Sequence, residues 1–325
     1  MFIQCELCPK GCRIEEGERG NCRIRVNLDG KLRTITYGFP CSVHVDPIEK
    51  KPFFHFYPGA KALSLATAGC NLHCKNCQNW EISQANPEDV EAFELNPLDV
   101  VNTALKENTP IISYTYTDPM GYYEYTLDMS SAARLQKIKN VLVTAGYINQ
   151  EPLKKLLAVT DAIKVDLKFF DDGLYRQITT ATLKPVLETI ATAKKMGVWL
   201  EVVNLVIPTL NDDEKQIKAM CDWLVANVGG DVPLHFSRFY PQYLLRNLPS
   251  TPYETLKRAK EIAKASGIRY VYIGNVNSVD DETTYCPFDG SVLVKRIGYV
   301  IAENNIVNNK CTKCGNEIPG VWGNV

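Results

Sequence analysis

Between residues 62 and 274 the chain alternates short apolar runs with longer stretches whose apolar residues recur every three or four positions. Runs of the first kind predict strands and those of the second predict amphipathic helices. Strands are expected at 62–69, 110–116, 140–145, 162–167, 198–207, 233–238 and 269–274. Helices are expected between them, near 97–107, 122–137, 150–159, 183–196, 213–228 and 252–266. Asn96-Pro97 punctuates the start of the first helix and Gly267 the end of the last. Such a βαβ rhythm builds a mostly parallel sheet. Alternation alone fits a barrel and a doubly wound sheet equally.

Read at period two, several strands are apolar on one face and polar on the other. In AIKVDLK, Ile163, Val165 and Leu167 share one face, and Lys164, Asp166 and Lys168 share the opposite one. Ser113, Thr115 and Thr117 share a face, as do His235 and Ser237. A parallel strand buried on both sides should be apolar throughout. Repeated one-sided polarity therefore favours a common polar interior over exposed edge strands. The strand at 198–207 breaks the pattern, because Glu201 and Asn204 have opposite parity. A bulge would reconcile them.

With 325 residues the chain accommodates one large domain and small attachments. Hydrophobic residues make up 45% and charged residues 22%, as in a soluble globular protein. The 36 basic and 37 acidic residues give a net charge of −1, which leaves no electrostatic footprint for nucleic acid or an anionic membrane. The N-terminal MFIQCELCPKGC lacks the apolar core of a signal peptide, and no apolar run is long enough to span a bilayer. A cytoplasmic location follows as the expectation. In that reducing compartment the twelve cysteines are expected to bind metal rather than pair as disulfides.

Their distribution divides the chain into an N-terminal Cys-rich segment (1–55), a core (56–275) and a C-terminal segment (276–325). Cys221 alone lies between residues 78 and 285, in an apolar helical pattern that predicts an inert core thiol. Cys70, Cys74 and Cys77 follow the first core strand in GCNLHCKNCQNW, a C-x₃-C-x₂-C spacing. In a parallel α/β domain this is the sheet edge where active sites gather. Three thiolates can hold three irons of a cubane and leave the fourth for a ligand. Zinc completed by His73, a thioredoxin-like Cys74–Cys77 pair, and a structural thiol cluster are the alternatives.

Together with this loop, the stretches CELCPKGCRIEEGERGNCRIR, DPIEKKPFFHFYPGA, SYTYTDP, VDLK, PLHFSRFYP, YVYIGNV and IPGVW resemble radical S-adenosylmethionine (SAM) enzymes. They are most similar to those of the AmmeMemoRadiSam system, in order from Cys5 to Trp322. The resemblance implies a partial (β/α)₆ TIM-type barrel with small metal-binding segments at both ends. It implies a [4Fe-4S] cluster on Cys70, Cys74 and Cys77, with SAM chelating the fourth iron. One-electron cleavage of SAM then gives methionine and a 5′-deoxyadenosyl radical that abstracts a substrate hydrogen. An electron donor such as ferredoxin or flavodoxin, and a functional link to Memo-type and AMME-type proteins, are also implied.

By the same resemblance Thr117 and Asp118 would receive the SAM amino group, with Asp118 standing where relatives carry glutamate. Asp166 and Lys168 match the D-L-K of related activating enzymes and would contact the SAM ribose and carboxylate. Asn204 and Val206, on the fifth strand, are candidate cofactor contacts, with Val206 and Ile207 walling the adenine. Asn76 stands where an aromatic residue is usual, and Thr144-Ala145-Gly146 replaces T-N-G. The D-L-K feature keeps a glycyl-radical activase acting on a partner protein as the alternative function. A non-catalytic metal scaffold or electron carrier is the alternative from another class.

Two further cysteine sets flank the core. Cys5, Cys8, Cys12 and Cys22 supply four thiolates within 18 residues, among basic side chains, with zinc expected first and an auxiliary iron–sulfur cluster second. Cys41 is a fifth thiol that replaces one of them or stays free. At the tail, YCPFDG and CTKCG resemble two zinc-ribbon or rubredoxin knuckles in which Asp289 replaces a cysteine. A Cys₃Asp zinc site from Cys286, Asp289, Cys311 and Cys314 is chemically feasible.

Overall fold

The structure, a computed structural model, describes residues 2–323. Its centre is an eight-stranded sheet. In chain order the strands are β1 (Ser42–Pro47), β2 (Lys61–Ala66), β3 (Ile111–Tyr114), β4 (Lys139–Thr144), β5 (Ala162–Asp166), β6 (Trp199–Val206), β7 (Leu234–Arg238) and β8 (Val271–Gly274). Strands β2 to β8 are mutually parallel and lie side by side in sequence order, whereas β1 pairs antiparallel with β2. Six crossover helices join the parallel strands: α1 (Pro97–Lys106), α2 (Tyr123–Leu135), α3 (Gln150–Leu157), α4 (Leu183–Lys195), α5 (Glu214–Val228) and α6 (Tyr253–Ala265). Every strand and helix expected in the core is present, and β1 is an addition. No helix among the described residues is long and apolar enough to cross a membrane.

Local chemistry explains the boundaries. The Asn96 side chain accepts from the Leu98 and Asp99 amides, and Asp99 accepts from the Asn96 amide, closing a capping box over Pro97 at the first helical position. The Asp213 side chain caps α5 by accepting from the Lys215 and Gln216 amides. The outward faces of the strands bury Leu63, Leu65, Ile112, Leu142, Ile163, Val165 and Leu200 against the helices in one continuous core.

The inward faces enclose a lumen whose chemistry changes along its length. At the end where the strands begin, Ala62, Ile111, Val141 and Ala162 pack around Phe53 and Phe56, which the chain inserts just before β2. Each of these phenylalanines is almost wholly buried, a contribution of about 2–3 kcal/mol apiece. Towards the other end the same faces carry Ser113, Thr115, Lys164, Asp166 and Ser237. The polar interior expected from period-two reading is therefore the upper half of a barrel that is plugged below. Strands β1 and β8 form the two edges of the sheet, so the barrel stays open.

Strand β6 runs without a bulge, and its pairing puts Glu201 beside Lys164 and Val203 beside Asp166. Glu201 thus faces the lumen, at the level of the plug, where it accepts from the His55 amide (2.9 Å), the Phe54 amide (3.1 Å) and Trp199 Nε1 (3.1 Å). Asn204 faces the opposite side and donates to the carbonyls of Leu167 (2.7 Å) and Lys168 (3.4 Å). The opposite parity of the two polar residues is real, and each is satisfied by a different layer.

The tail folds as a small antiparallel sheet, with β9 (Val292–Ile297) pairing β10 (Val300–Asn304), and docks beneath the barrel. Leu293, Val294, Ile306 and Ile318 pack against Phe54, Tyr270 and Tyr272. The fully buried Arg296 donates to the Phe54 carbonyl (2.6 Å), the Glu282 carbonyl (3.0 Å) and Thr284 Oγ1 (2.9 Å). Its guanidinium also stacks 4.1 Å from the centre of the Phe54 ring. The N-terminal segment is two short hairpins that lie over the loop after β2. All twelve cysteines are free thiols, and Cys221 is fully buried in the core as expected.

Candidate functional site

A cavity of about 430 Å³ opens where the parallel strands end. This size suits a small-molecule ligand. Cys70, Cys74 and Cys77 line one wall, brought there because the chain leaves β2 directly into the cysteine loop. Burial raises the Cys70 thiol well above its ordinary value and the Cys74 thiol to about 12, with Lys168 opposing the shift at Cys74. Such thiols stay protonated until a metal displaces the proton. Cys70 Sγ also accepts the Leu72 amide at 3.4 Å. His73, considered as a zinc ligand, points away to Gln84 Oε1 (2.7 Å) and Asn21 Oδ1 (2.9 Å). His73 therefore does not line this cavity.

The opposite wall is electrostatic. Asp166 lies between Lys164, which donates to its Oδ1, and Lys168, whose Nζ stands 3.5 Å from Oδ2. Burial pushes the Asp166 carboxyl up, but the two ammonium groups overcome it and hold the group below its usual range. Lys168 is in turn held above its ordinary value: Asp166 and the Cys74 sulfur outweigh the cost of burial. The alternating lysine and aspartate side chains come from a single strand end, as the parity of VDLK required.

Asp118 lies at the end of β3 and accepts from the Met120 amide (3.1 Å), Thr144 Oγ1 (2.9 Å) and the Ala145 amide (2.8 Å). Its carboxyl is nevertheless raised, because burial outweighs these bonds. Two of the three positions at which the sequence departs from the pattern it resembles thus meet: Thr144-Ala145 binds Asp118, and the shorter acid is fixed between two strand ends. Thr117 lines the cavity too and donates to the Thr67 carbonyl at 2.9 Å. Asn76 is buried in the wall, and its Oδ1 has no hydrogen-bond partner. An orphaned buried acceptor beside three thiols and a carboxylate–ammonium pair is what a polar ligand would complete.

Two of the expected contacts lie elsewhere. Asn204 and Val206 face the helix layer, so β6 presents Val203 and Leu205 to the cavity instead. Parity reading from Glu201 finds these two residues, and a bulge hides them. Sequence reasoning also missed the rim. Lys51 is buried and donates to Asp46 at 2.7 Å, Lys50 donates to the other oxygen at 2.7 Å, and Tyr116 Oη donates to Asp46 at 2.5 Å. Burial lowers the Lys51 ammonium to about 8, against the pull of Asp46. The Asp46…Lys50-Lys51 spacing just before β2 was the available signal. Asn275, just after β8, and Tyr299, at the tip of the β9–β10 hairpin, complete the rim, and nothing local in sequence announces either.

The flanking sets differ from each other. Cys286, Asp289, Cys311 and Cys314 offer ligand atoms that all lie within 4.8 Å of one another, with Cys286 Sγ 3.6 Å from Cys314 Sγ. Ser291 donates from its amide (2.9 Å) and its hydroxyl (2.6 Å) to Asp289 and holds that carboxyl down at about 2. Cys5, Cys8, Cys12 and Cys22 surround a separate small cavity that Cys41 does not line.

Comparison with known proteins gives four findings. Residues 64–223 match the Radical SAM superfamily. The uncharacterized protein MJ0808 of Methanocaldococcus jannaschii is 45% identical over 318 residues, 97% of this chain and 95% of that protein. The pyruvate formate-lyase-activating enzyme of Clostridium pasteurianum is 22% identical over 209 residues, 60% of this chain and 87% of that enzyme. Among solved structures, Streptococcus suis SuiB bound to S-adenosylmethionine superposes with a TM-score of 0.53 at 13% identity, over 74% of this chain and 57% of that one. The last is a likeness of fold.

Proposed function

Because the chain belongs to the radical SAM superfamily and is an enzyme of that class, we propose how its own residues serve the chemistry. Cys70, Cys74 and Cys77 would hold three irons of the [4Fe-4S] cluster, and the cavity beside them would hold SAM. Bound there, the pair supplies a 5′-deoxyadenosyl radical that removes a hydrogen atom from carbon. The protein's part is to bind, orient and exclude water. Asp118, fixed by Thr144 and Ala145, keeps a lone pair free on Oδ2 for an ammonium group. Lys168, held charged by Asp166, is placed to attract a carboxylate. Asn76 Oδ1 is open to a donor, and Val203 and Leu205 offer an apolar surface to a ring. The plug at Phe53 and Phe56 closes the lumen from below, so substrate enters past Lys51, Tyr116 and Tyr299.

The observation that carries this reading is the convergence of three thiols, Asp118, Asp166 and Lys168 on one cavity. Reconstitution with iron and sulfide under anaerobic conditions, followed by reductant and SAM, should release 5′-deoxyadenosine. Cys74→Ala should abolish that product. A fully loaded cluster that yields none would overturn the assignment. Deuterated candidate substrates, scored by transfer of deuterium into 5′-deoxyadenosine, then identify the hydrogen donor.

A second reading comes from relatives named as activating enzymes, among them a (2S)-3-sulfopropanediol dehydratase activating enzyme of Klebsiella oxytoca. On that reading the hydrogen comes from a glycine of a partner protein, and a glycyl-radical signal in the partner is the readout. The ordered flanking motifs support membership of the AmmeMemoRadiSam system and a link to Memo-type and AMME-type proteins. Reduced ferredoxin or flavodoxin is the donor proposed for the single electron. The tail quartet is proposed as a single-ion site, with zinc as the ion its three thiols and one carboxylate would accept.

A further inference from the structure

We infer that Cys5, Cys8, Cys12 and Cys22 bind a second iron–sulfur cluster, seated directly against the loop that carries Cys70, Cys74 and Cys77. The preference for zinc formed from sequence spacing is thereby reversed, and the reason is geometric. A tetrahedral zinc thiolate site, with Zn–S near 2.3 Å, brings its sulfurs to about 3.8 Å from one another. Among the described residues the tail quartet is the one group of at least three ligands whose atoms all fall within 4.8 Å. The N-terminal four line a common cavity and form no such close group, and neither do Cys70, Cys74 and Cys77 in theirs. A cubane places each thiolate on a different iron and so needs a wider ring.

The surroundings suit a cluster. Cys12 Sγ accepts the Asn21 amide at 3.4 Å. Amide-to-sulfur bonds of this kind stabilise thiolate charge and tune iron–sulfur centres. Cys5, Cys8 and Cys22 are buried, and Lys10 and Arg25 border the cavity to balance four thiolates. Apolar Ile14 and Met120 complete the wall and keep water from the core.

The position follows from Gly69, which has φ +87° and immediately precedes Cys70. A Cβ on Gly69 would stand 2.7 Å from the Cys22 carbonyl oxygen, so the two cysteine loops are in backbone contact. Asn71, the neighbour of Cys70, lines the N-terminal cavity, and Lys10 lies within electrostatic reach of Cys8, Cys12, Cys70 and Cys74. The two centres therefore share a wall.

Metal analysis and low-temperature EPR on the full-length protein, reconstituted anaerobically, test this without reference to turnover. The wild type should hold about eight irons, from two four-iron clusters, and no stoichiometric zinc in the N-terminal set. The Cys70→Ala/Cys74→Ala/Cys77→Ala variant should keep about four irons and a reduced-cluster signal that SAM leaves unchanged. Cys12→Ser/Cys22→Ser should keep about four irons with a signal that SAM shifts. Zinc retained by the triple variant in place of iron would overturn the inference, and so would a wild type limited to about four irons. Because the triple variant leaves the N-terminal set untouched, misfolding of the double variant does not blunt the test. Failure of the SAM reading is distinguishable: both clusters would load, and neither signal would respond to SAM.

Discussion

The carboxylate of Glu201 lies 2.6 Å from Nε2 of His235 at the level of the lumen plug, and both side chains are buried. Burial pushes the Glu201 carboxyl up, but His235 and His55 more than reverse it, so the group stays ionised. With four donors on two oxygens, it ties β6 to β7 and to the segment that carries the plug. Glu201→Ala should cost about 3–5 kcal/mol, because four buried donors lose their acceptor together. Glu201→Gln should recover part of the loss. Urea unfolding midpoints compare the two.

His55 latches the tail to the barrel. Its Nδ1 donates to the Pro319 carbonyl (2.7 Å), and its Nε2 accepts from Tyr272 Oη (2.6 Å), which also bonds Thr284 Oγ1 (2.8 Å). That is the arrangement of a neutral imidazole. Burial accordingly lowers the ring from 6.5 to about 4, against the pull of Glu201. A depressed pKa gives stability that is complete above the unfolded value and is lost as pH falls through the folded one. Between pH 6.5 and 4 this group should therefore remove stability progressively, up to about 3 kcal/mol below both values. The slope of unfolding free energy against pH should flatten in His55→Asn. An unchanged slope would refute the latch.

Gly69→Ala should damage both cysteine sets at once. The left-handed backbone strains any Cβ, and the methyl would meet the Cys22 carbonyl and Ile24 Cγ1, each at 2.7 Å. A destabilisation of about 2 kcal/mol is expected, with iron content falling below that of the wild type. Colorimetric iron assay after reconstitution reads the effect.

Asp166→Asn removes the anion that keeps Lys164 and Lys168 paired and Lys168 oriented. Affinity for SAM should fall about 10- to 100-fold, the loss expected for a misplaced charged hydrogen bond. Iron content should not change, since Asp166 is no ligand. Equilibrium dialysis with labelled SAM separates the two quantities.

Asp289→Cys converts the tail set to four thiolates. Zinc should then be retained more tightly against a chelator than in the wild type, because a soft thiolate replaces an exposed carboxylate. Competition with a chromophoric chelator measures the difference, and Cys314→Ser should move it the other way.

Much of this was legible along the chain. The βα rhythm found the parallel strands β2 to β8 and the six crossover helices, because a parallel sheet under helices imposes one hydrophobic period on each. The parity of VDLK found the charged wall because a strand has only two faces. C-x₃-C-x₂-C found three residues of the cavity wall because it follows directly on a strand end. Distance in sequence hid the rest. Lys51, Asn275 and Tyr299 come to the cavity from before β2, after β8 and the tip of the tail hairpin. Each looks locally like a surface residue.

The sequence by itself determined which residues are strand, helix and metal-seeking thiol, since each is a matter of local period and side-chain chemistry. Tertiary structure alone decided that Glu201 is part of the frame rather than the cavity wall, and that Val203 and Leu205 line the cavity in place of Asn204 and Val206. It also decided that the N-terminal cysteine loop lies in backbone contact with the Cys70 loop. Those outcomes depend on strand pairing and on contacts between segments far apart in the chain, and no local pattern encodes such distances.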